Sequence, residues 1–317
     1  MQDPKSWQPN ISVELLRARA EFIDNIRAFF KRRDCLEVDT PTLAHHGVTD
    51  VHLENLSCST DSFGELYLQT SPEYAMKRLL AAHQCDIFQI ARAYRDDESG
   101  RKHNPEFLLL EWYRLGIDHH QLMDEMDALF KELLDTPAAE RLTYEELFQN
   151  SLNIDVFADD LVPLKNLAKE QGLEGELSDK QAYLDFLFSF LIEPTLGKDR
   201  PIFVYDYPSE QAALARISDK NGRVAERFEC FYRGMELANG FHELADAEEQ
   251  TKRFERDIRT RAACGKPLRK ADPYLLAALE SGLPDCSGVA LGLERLMMLK
   301  FNKSSIDEVM PFSIKWI

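Results

Sequence analysis

The six cysteines, Cys35, Cys58, Cys85, Cys230, Cys264 and Cys286, include no pair at C-x-x-C spacing. Neither a zinc site nor a disulfide framework is therefore expected, and reduced thiols of a cytoplasmic protein are the simpler reading. Basic residues are also scarce: 38 Lys and Arg face 55 Asp and Glu, a formal charge of −17. Sequence-blind nucleic-acid binding depends on neutralising phosphates, so this balance argues against a large tRNA or DNA footprint. It argues equally against an anionic membrane surface. Gly and Pro number only 14 each, too few for a long disordered or fibrous region. No apolar run is long enough to span a bilayer. The strongest, Tyr183 to Ile192, is interrupted by Asp185 and reads as a buried helix. The first ten residues carry no apolar signal core. No G-x-G-x-x-G opens a helix and no Walker A motif is present, so a Rossmann or P-loop site is not expected.

What is present is 317 residues with 44% apolar and 29% charged side chains, enough for one large globular domain. Apolar positions at helical spacing predict an amphipathic helix over roughly 11–33, followed by a strand from Leu36 to Leu43 that Pro41 marks as an edge or an end. Glu65 to Thr70 is extended. Ser71-Pro72 then supplies an N-cap and an N1 proline for a helix to about His83. Ile87–Arg95 and Glu106–Leu115 form a long antiparallel hairpin around a polar loop. Asp118–Leu134 is a helix. Residues 136–200 are mostly helical, with capping boxes Thr143-x-x-Glu146 and Ser178-x-x-Gln181. Strands resume over Ile202–Tyr207 and Ala225–Asn239. Helices follow over about 246–264 and from Asp272-Pro273 to Gly282. A last strand, Val289–Gly292, feeds a helix from Leu293 to Phe301. Hairpins flanked by helices, without regular strand–helix alternation, give an α+β fold built on an antiparallel sheet.

Three constellations carry chemistry. Phe107, Leu109, Glu111 and Tyr113 share one strand face, which suits a pocket floor and fits a half-exposed sheet equally. The preceding loop gathers Arg95, Arg101, Lys102 and His103, a set suited to polyphosphate or to plain solvation. In the later hairpin, a two-residue turn at Arg233-Gly234 pairs Phe231 with Glu236. Glu229 and Glu236 then become diagonal neighbours on one face, about 7–8 Å apart. Two such carboxylates want a cation between them: Mg²⁺ carried by a nucleotide, or Arg227 or Arg233. Lastly, Arg295 lies in the first turn of a helix entered through Gly292. A cation is unfavourable there unless an anion holds it, and a surface arginine remains the alternative.

Together these stretches resemble motifs 1, 2 and 3 of the class II aminoacyl-tRNA synthetases. Motif 1 ends at Pro41, motif 2 runs from Tyr94-Arg95 through His103-Asn-Pro-Glu-Phe107, and motif 3 is Gly292-Leu-Glu-Arg295. Ser71-Pro-Glu-Tyr74, Met235-Glu-Leu-Ala-Asn-Gly-Phe241 and Glu243-Leu are similar to lysyl-tRNA synthetase, and the likeness runs from about residue 11 to 312. The chain begins at the catalytic domain, so a single domain over 1–317 without an anticodon-binding OB domain is expected. Ala290 stands where that synthetase has glycine, and Ser71 where it has alanine. Both match its stand-alone paralogs, which act on a protein instead of tRNA.

The resemblance implies ATP-dependent activation of (R)-β-lysine as an adenylate. It implies transfer to a lysine ε-amine of elongation factor P, with Mg²⁺, by a cytoplasmic homodimer that needs neither tRNA nor a membrane. By the same resemblance Arg95 holds the α-phosphate and the substrate carboxylate. The Asp96 backbone and Asp97 face adenine, although the family has glutamate at position 97. His103 and Arg295 take the β- and γ-phosphates, Asn104 orders the loop, and Phe107 stacks on adenine. Glu229 and Glu236 hold Mg²⁺, and the Leu237 backbone and Gly292 line the nucleotide. Ser71, Pro72, Glu73, Glu111, Tyr113, Asn239, Glu243 and Ala290 surround the amino acid. In the strict hairpin register Asn239 faces away from Glu236, so a bulge at Gly240 is required or the assignment fails. Two rivals remain at this level: a trimmed synthetase that charges tRNA, and a non-catalytic binding paralog.

Overall fold

Val13–Lys31 forms the first helix, α1, because Phe22, Ile26, Phe29 and Phe30 make a buried stripe at helical spacing. Ser12 caps it, its hydroxyl accepting from the Leu15 N–H at 3.3 Å. The computed structural model of the chain describes residues 7–96 and 100–317. Next come β1 (Leu36–Glu37), β2 (Leu43–Ala44), β3 (Ser57–Thr60), β4 (Gly64–Leu68), α2 (Glu73–His83), β5 (Ile87–Tyr94) and β6 (Glu106–Leu115). They are followed by α3 (His119–Leu134), β7 (Glu140–Thr143), α4 (Tyr144–Leu152), α5 (Val162–Glu170), α6 (Lys180–Leu187), β8 (Ile202–Pro208), β9 (Val224–Phe231) and β10 (Glu236–His242). The chain ends with α7 (Ala247–Ala263), α8 (Pro273–Gly282), β11 (Cys286–Gly292) and α9 (Leu293–Lys300). The fold is α+β, mostly antiparallel, as the hairpin pattern requires. Among the described residues no helix is long and apolar enough to cross a membrane.

The chain divides into two compact units. The first comprises residues up to Ile117 together with Ala245 onward. In it strands run in the order β1-β5-β6-β11, with β1 parallel to β5 and the rest antiparallel. Phe30 of α1 stacks on Phe88 of β5 at 4.6 Å and touches Trp112 of β6 at 5.3 Å. Each such buried aromatic contributes about 1.5–3 kcal/mol by leaving water. A small separate sheet has the order β2-β4-β3. The strand expected over Leu36–Leu43 is instead two short strands in different sheets. Leu36–Glu37 pairs with β5 and Leu43–Ala44 with β4. Pro41 lies between them and has no N–H to continue a ladder.

The second unit spans Asp118–Leu244, with strand order β10-β9-β8-β7 and β7 parallel to β8. Its core joins Tyr144 and Phe148 of α4, Tyr183 and Leu187 of α6, Phe188 and Phe231. The expected buried helix at Tyr183–Ile192 is α6 continued by one π-helical turn, Phe188–Ile192. The Thr143–Glu146 capping box forms at α4. At α6 the cap is Asp179, not Ser178. The Asp179 carboxylate accepts the Ala182 N–H at 2.9 Å, and Ser178 donates its hydroxyl to the other Asp179 oxygen. A charged acceptor makes the stronger cap bond.

Candidate active site

In the first unit the site grows from the pairing of β6 with β11. Gly288 lies opposite Tyr113, Ala290 opposite Glu111 and Gly292 opposite Leu109. Small residues therefore stand beside the Leu109–Glu111–Tyr113 face and keep its surface low. The face is not half exposed: Glu111 and Tyr113 are each 2% exposed. The Tyr113 hydroxyl donates to Glu111 Oε1 at 2.7 Å, while Glu111 Oε2 is buried without a hydrogen bond. Burial, with the nearby charge of Glu73, raises the Glu111 pKa to about 8; Tyr113, Ser71 and Lys77 pull the other way. A buried carboxyl kept protonated, with one bare oxygen, suits a ligand that brings its own cation.

Glu73 opens α2. The cap position is Pro72, not Ser71, one residue later than the sequence predicts, and no side chain caps the helix; the Ser71 hydroxyl accepts the Glu73 N–H at 3.0 Å. Pro72 is buried beneath. The Glu73 carboxylate accepts from Lys77 Nζ at 2.7 Å, and Lys77 is only 2% exposed.

The β5–β6 loop is closed by backbone bonds between Gly100 and His103. Asn104 is buried and ties this loop down. Its Nδ2 donates to the Glu106 carbonyl at 2.7 Å and its Oδ1 accepts the Ile314 N–H at 2.9 Å. The Arg95 guanidinium lies 5.1 Å over the Phe107 ring. The Asp96 N–H donates to the Glu54 carbonyl at 3.0 Å. Asp97 lies outside the described residues. Arg295 reaches from α9 to the loop. Its Nη2 lies 2.6 Å from His103 Nε2 and its Nε donates to the Lys102 carbonyl at 3.4 Å. A guanidinium only donates, so His103 Nε2 accepts and the ring presents no proton there. The two groups expected at the outer phosphates thus meet. Glu294, beside Arg295, is buried, accepts the Leu108 N–H at 2.8 Å and fixes α9 on β6.

In the second unit Arg233 and Gly234 have φ of 52° and 64°. These left-handed values make the primed two-residue turn that the sequence predicts. Tyr232 and Met235 exchange backbone bonds, and Phe231 pairs with Glu236. The register then slips between Glu236 and Ala238, so Leu237 is the extra residue of a bulge. Asn239 consequently lies opposite Glu229 and shares its face with Glu229 and Glu236. The bulge is at Leu237, not Gly240. Arg227 forms an ion pair with Glu229 and donates from Nε to Asn239 Oδ1 at 3.2 Å. The Tyr207 hydroxyl donates to Glu229 Oε2 at 2.7 Å. Burial raises the Glu229 pKa; Arg227 opposes this and the charge of Glu236 adds to it. Glu243, also of this unit, is 2% exposed.

The family model described as tRNA synthetases class II (D, K and N) matches residues 8–315. The chain belongs to this class II synthetase family. It is 49% identical to the elongation factor P–(R)-β-lysine ligase of Edwardsiella ictaluri, over 99% of both chains. The ligases of the same name from Haemophilus influenzae strain PittGG and Vibrio vulnificus are 49% and 48% identical over 96–97% of this chain and 97% of theirs. Three residues that meet predicted site residues were not singled out by sequence reasoning: Lys77, Glu294 and Tyr207; Arg227 was, as the alternative cation beside Glu229, and it takes that place. Lys77 had a signal: it lies four residues after Glu73 on α2, a spacing that puts it on the face of that carboxylate. Glu294 sits inside the motif 3 string itself. Tyr207 had none, because it meets Glu229 only through the β8–β9 pairing, which also shifts register.

Proposed function

We propose that the chain activates (R)-β-lysine with ATP as an aminoacyl-adenylate and passes it to a lysine ε-amine of elongation factor P. The observation that carries this reading is the likeness to curated ligases of that name over nearly the full length of both chains. In the first step the substrate carboxylate attacks the α-phosphate in line and pyrophosphate leaves. In the second the ε-amine attacks the activated carbonyl, AMP leaves and the amine gives up a proton. Both steps call for positioning and charge neutralisation, not a nucleophilic side chain. Arg95 steadies the α-phosphate and the carboxylate, and Arg295 with His103 takes the outer phosphates. Phe107, the Asp96 and Leu237 backbones, Asn104 and Gly292 shape the nucleotide end. Glu229 and Glu236 on one hairpin face are a donor set that fits a hard divalent cation, and Mg²⁺ held there would neutralise phosphate charge. Ser71, Pro72, Glu73, Glu111, Tyr113, Asn239, Glu243 and Ala290 enclose the amino acid. The protein acts as a cytoplasmic homodimer without tRNA, with 1–317 working as one catalytic domain.

ATP–pyrophosphate exchange with (R)-β-lysine, α-lysine and no amino acid tests the reading, followed by the mass gained by elongation factor P. Strong exchange with β-lysine and a one-residue mass gain support it. Exchange with α-lysine alone, or charging of tRNA at physiological salt, overturns the substrate choice. Silence with both amino acids in folded protein returns the chain to a binding role.

A further inference from the structure

The face of β9 and β10 turned away from Glu229 carries a second polar cluster that the ligase chemistry does not use. His119, Glu226 and His242 each bring one ligating atom to within 4.8 Å of the others. Glu226 is three residues from Glu229, so strand alternation puts it on the opposite face. There α3 packs against β9 and β10 and delivers His119, its first residue. Both histidines are buried, at 4% and 7% exposure. His242 Nδ1 lies 2.6 Å from Glu226 Oε2. The backbone of Arg216 bridges the two strands at this point, accepting from the Glu226 N–H and donating to the His242 carbonyl.

His119 is the anomaly. Neither of its ring nitrogens makes a hydrogen bond. Leaving a buried polar group so costs about 1–3 kcal/mol. Asp206 Oδ1 lies 3.4 Å from its Nε2. Asp206 is itself held at φ 56°, where β8 slips register between Tyr205 and Tyr207. Backbone strain of about 1–3 kcal/mol persists only where surroundings impose it. Here it turns a carboxylate toward an otherwise unsatisfied imidazole.

We infer that His119, Glu226 and His242 bind a transition-metal dication of the zinc class, with Asp206 as the outer carboxylate that orients His119. Two imidazoles and a carboxylate are a zinc-type donor set, whereas Mg²⁺ and Ca²⁺ take oxygen ligands. Tetrahedral zinc with bonds near 2.0–2.1 Å needs ligand atoms about 3.4 Å apart. The 2.6 Å pair must open and the widest separation, at most 4.8 Å, must close. The cysteine-spacing argument does not bear on this site, which contains no thiol. The ion would pin α3 to the hairpin that carries Glu229, Glu236 and Asn239, so its role is to stabilise that hairpin.

The test uses the full chain, stripped with chelator and desalted, then titrated with Zn²⁺ alone in excess Mg²⁺, with Co²⁺ as the spectroscopic probe. The expected result is one equivalent per chain, a rise in Tm, and a Co²⁺ spectrum of nitrogen and oxygen ligation without thiolate charge transfer. Glu226→Gln and His242→Gln should each weaken binding at least about tenfold and abolish the rise in Tm. No uptake below millimolar Zn²⁺, a thiolate spectrum, or full binding retained in both variants overturns the inference. Should a variant fail to fold, the wild-type stoichiometry and spectrum decide alone.

Discussion

Replacing Glu111 by Gln should abolish a proton release that accompanies amino-acid binding. The Glu111 carboxyl is held at a pKa of about 8 by burial and by Glu73. At pH 7 it is therefore about nine-tenths protonated. A substrate ammonium docking on the bare Oε2 favours the ionised form and draws the pKa down. Binding at pH 7 then expels about 0.9 proton. Affinity for (R)-β-lysine should rise about tenfold from pH 6 to 7 and level off near pH 8. The same shift acts on stability with a definite sign. The folded value lies above the ordinary 4.5, so the stabilisation is full below pH 4.5 and is lost as pH rises through about 8. Calorimetric titration with (R)-β-lysine, without ATP, in buffers of different ionisation enthalpy counts the proton directly. In Glu111→Gln the count should fall to near zero while the Tyr113 contact survives. A wild-type count near zero, with flat affinity between pH 6 and 8, would refute the assignment of Glu111 to the ammonium.

Three further outcomes follow from the same geometry. Ala290→Gly removes the methyl directly opposite Glu111. It should shift preference toward α-lysine by about 1–3 kcal/mol, read as relative kcat/KM for the two isomers, and an unchanged ratio removes Ala290 from specificity. Arg295→Ala breaks the contact with His103 and should slow pyrophosphate exchange at least a hundredfold with little change in Tm, so wild-type exchange in that variant excludes Arg295 from the site. Arg261 is fully buried and binds both oxygens of Glu54 as well as the carbonyls of Asp50, Leu53 and Pro267. Arg261→Ala should cost about 3–5 kcal/mol in denaturant unfolding, and a loss under about 1 kcal/mol means the buried ion pair contributes little.

What could be read from the chain was what depends on neighbours in sequence. The β5–β6 hairpin, with its face of Phe107, Leu109, Glu111 and Tyr113, follows from period-two alternation alone. The Arg233–Gly234 turn was legible as well, since its second position, at φ 64°, is a glycine. Helix ends at Asp118, Thr143, Asp246 and Asp272 were legible because a cap is a bond over two or three residues. Short, largely polar strands, Ser57–Thr60 and Glu140–Thr143, were not, because only their partners make them strands. The Glu54–Arg261 pair was invisible for the same reason: 207 residues separate its ends.

The Leu237 bulge shows how narrow the boundary is. A strict ladder from the Arg233–Gly234 turn places Ala238 opposite Glu229 and turns Asn239 to the other face. One extra residue moves Asn239 opposite Glu229, where Arg227 can hold both. No glycine in Glu236-Leu-Ala-Asn announces it. The cause lies across the sheet. Leu237 and Ala238 are both 2% exposed, whereas alternation alone would bury one and expose the other. Burying two successive residues while keeping Glu236 and Asn239 on one face is impossible at period two and natural with one bulged residue. The spacing of polar residues, three apart at Glu236 and Asn239 instead of two or four, is the trace that this leaves in the sequence.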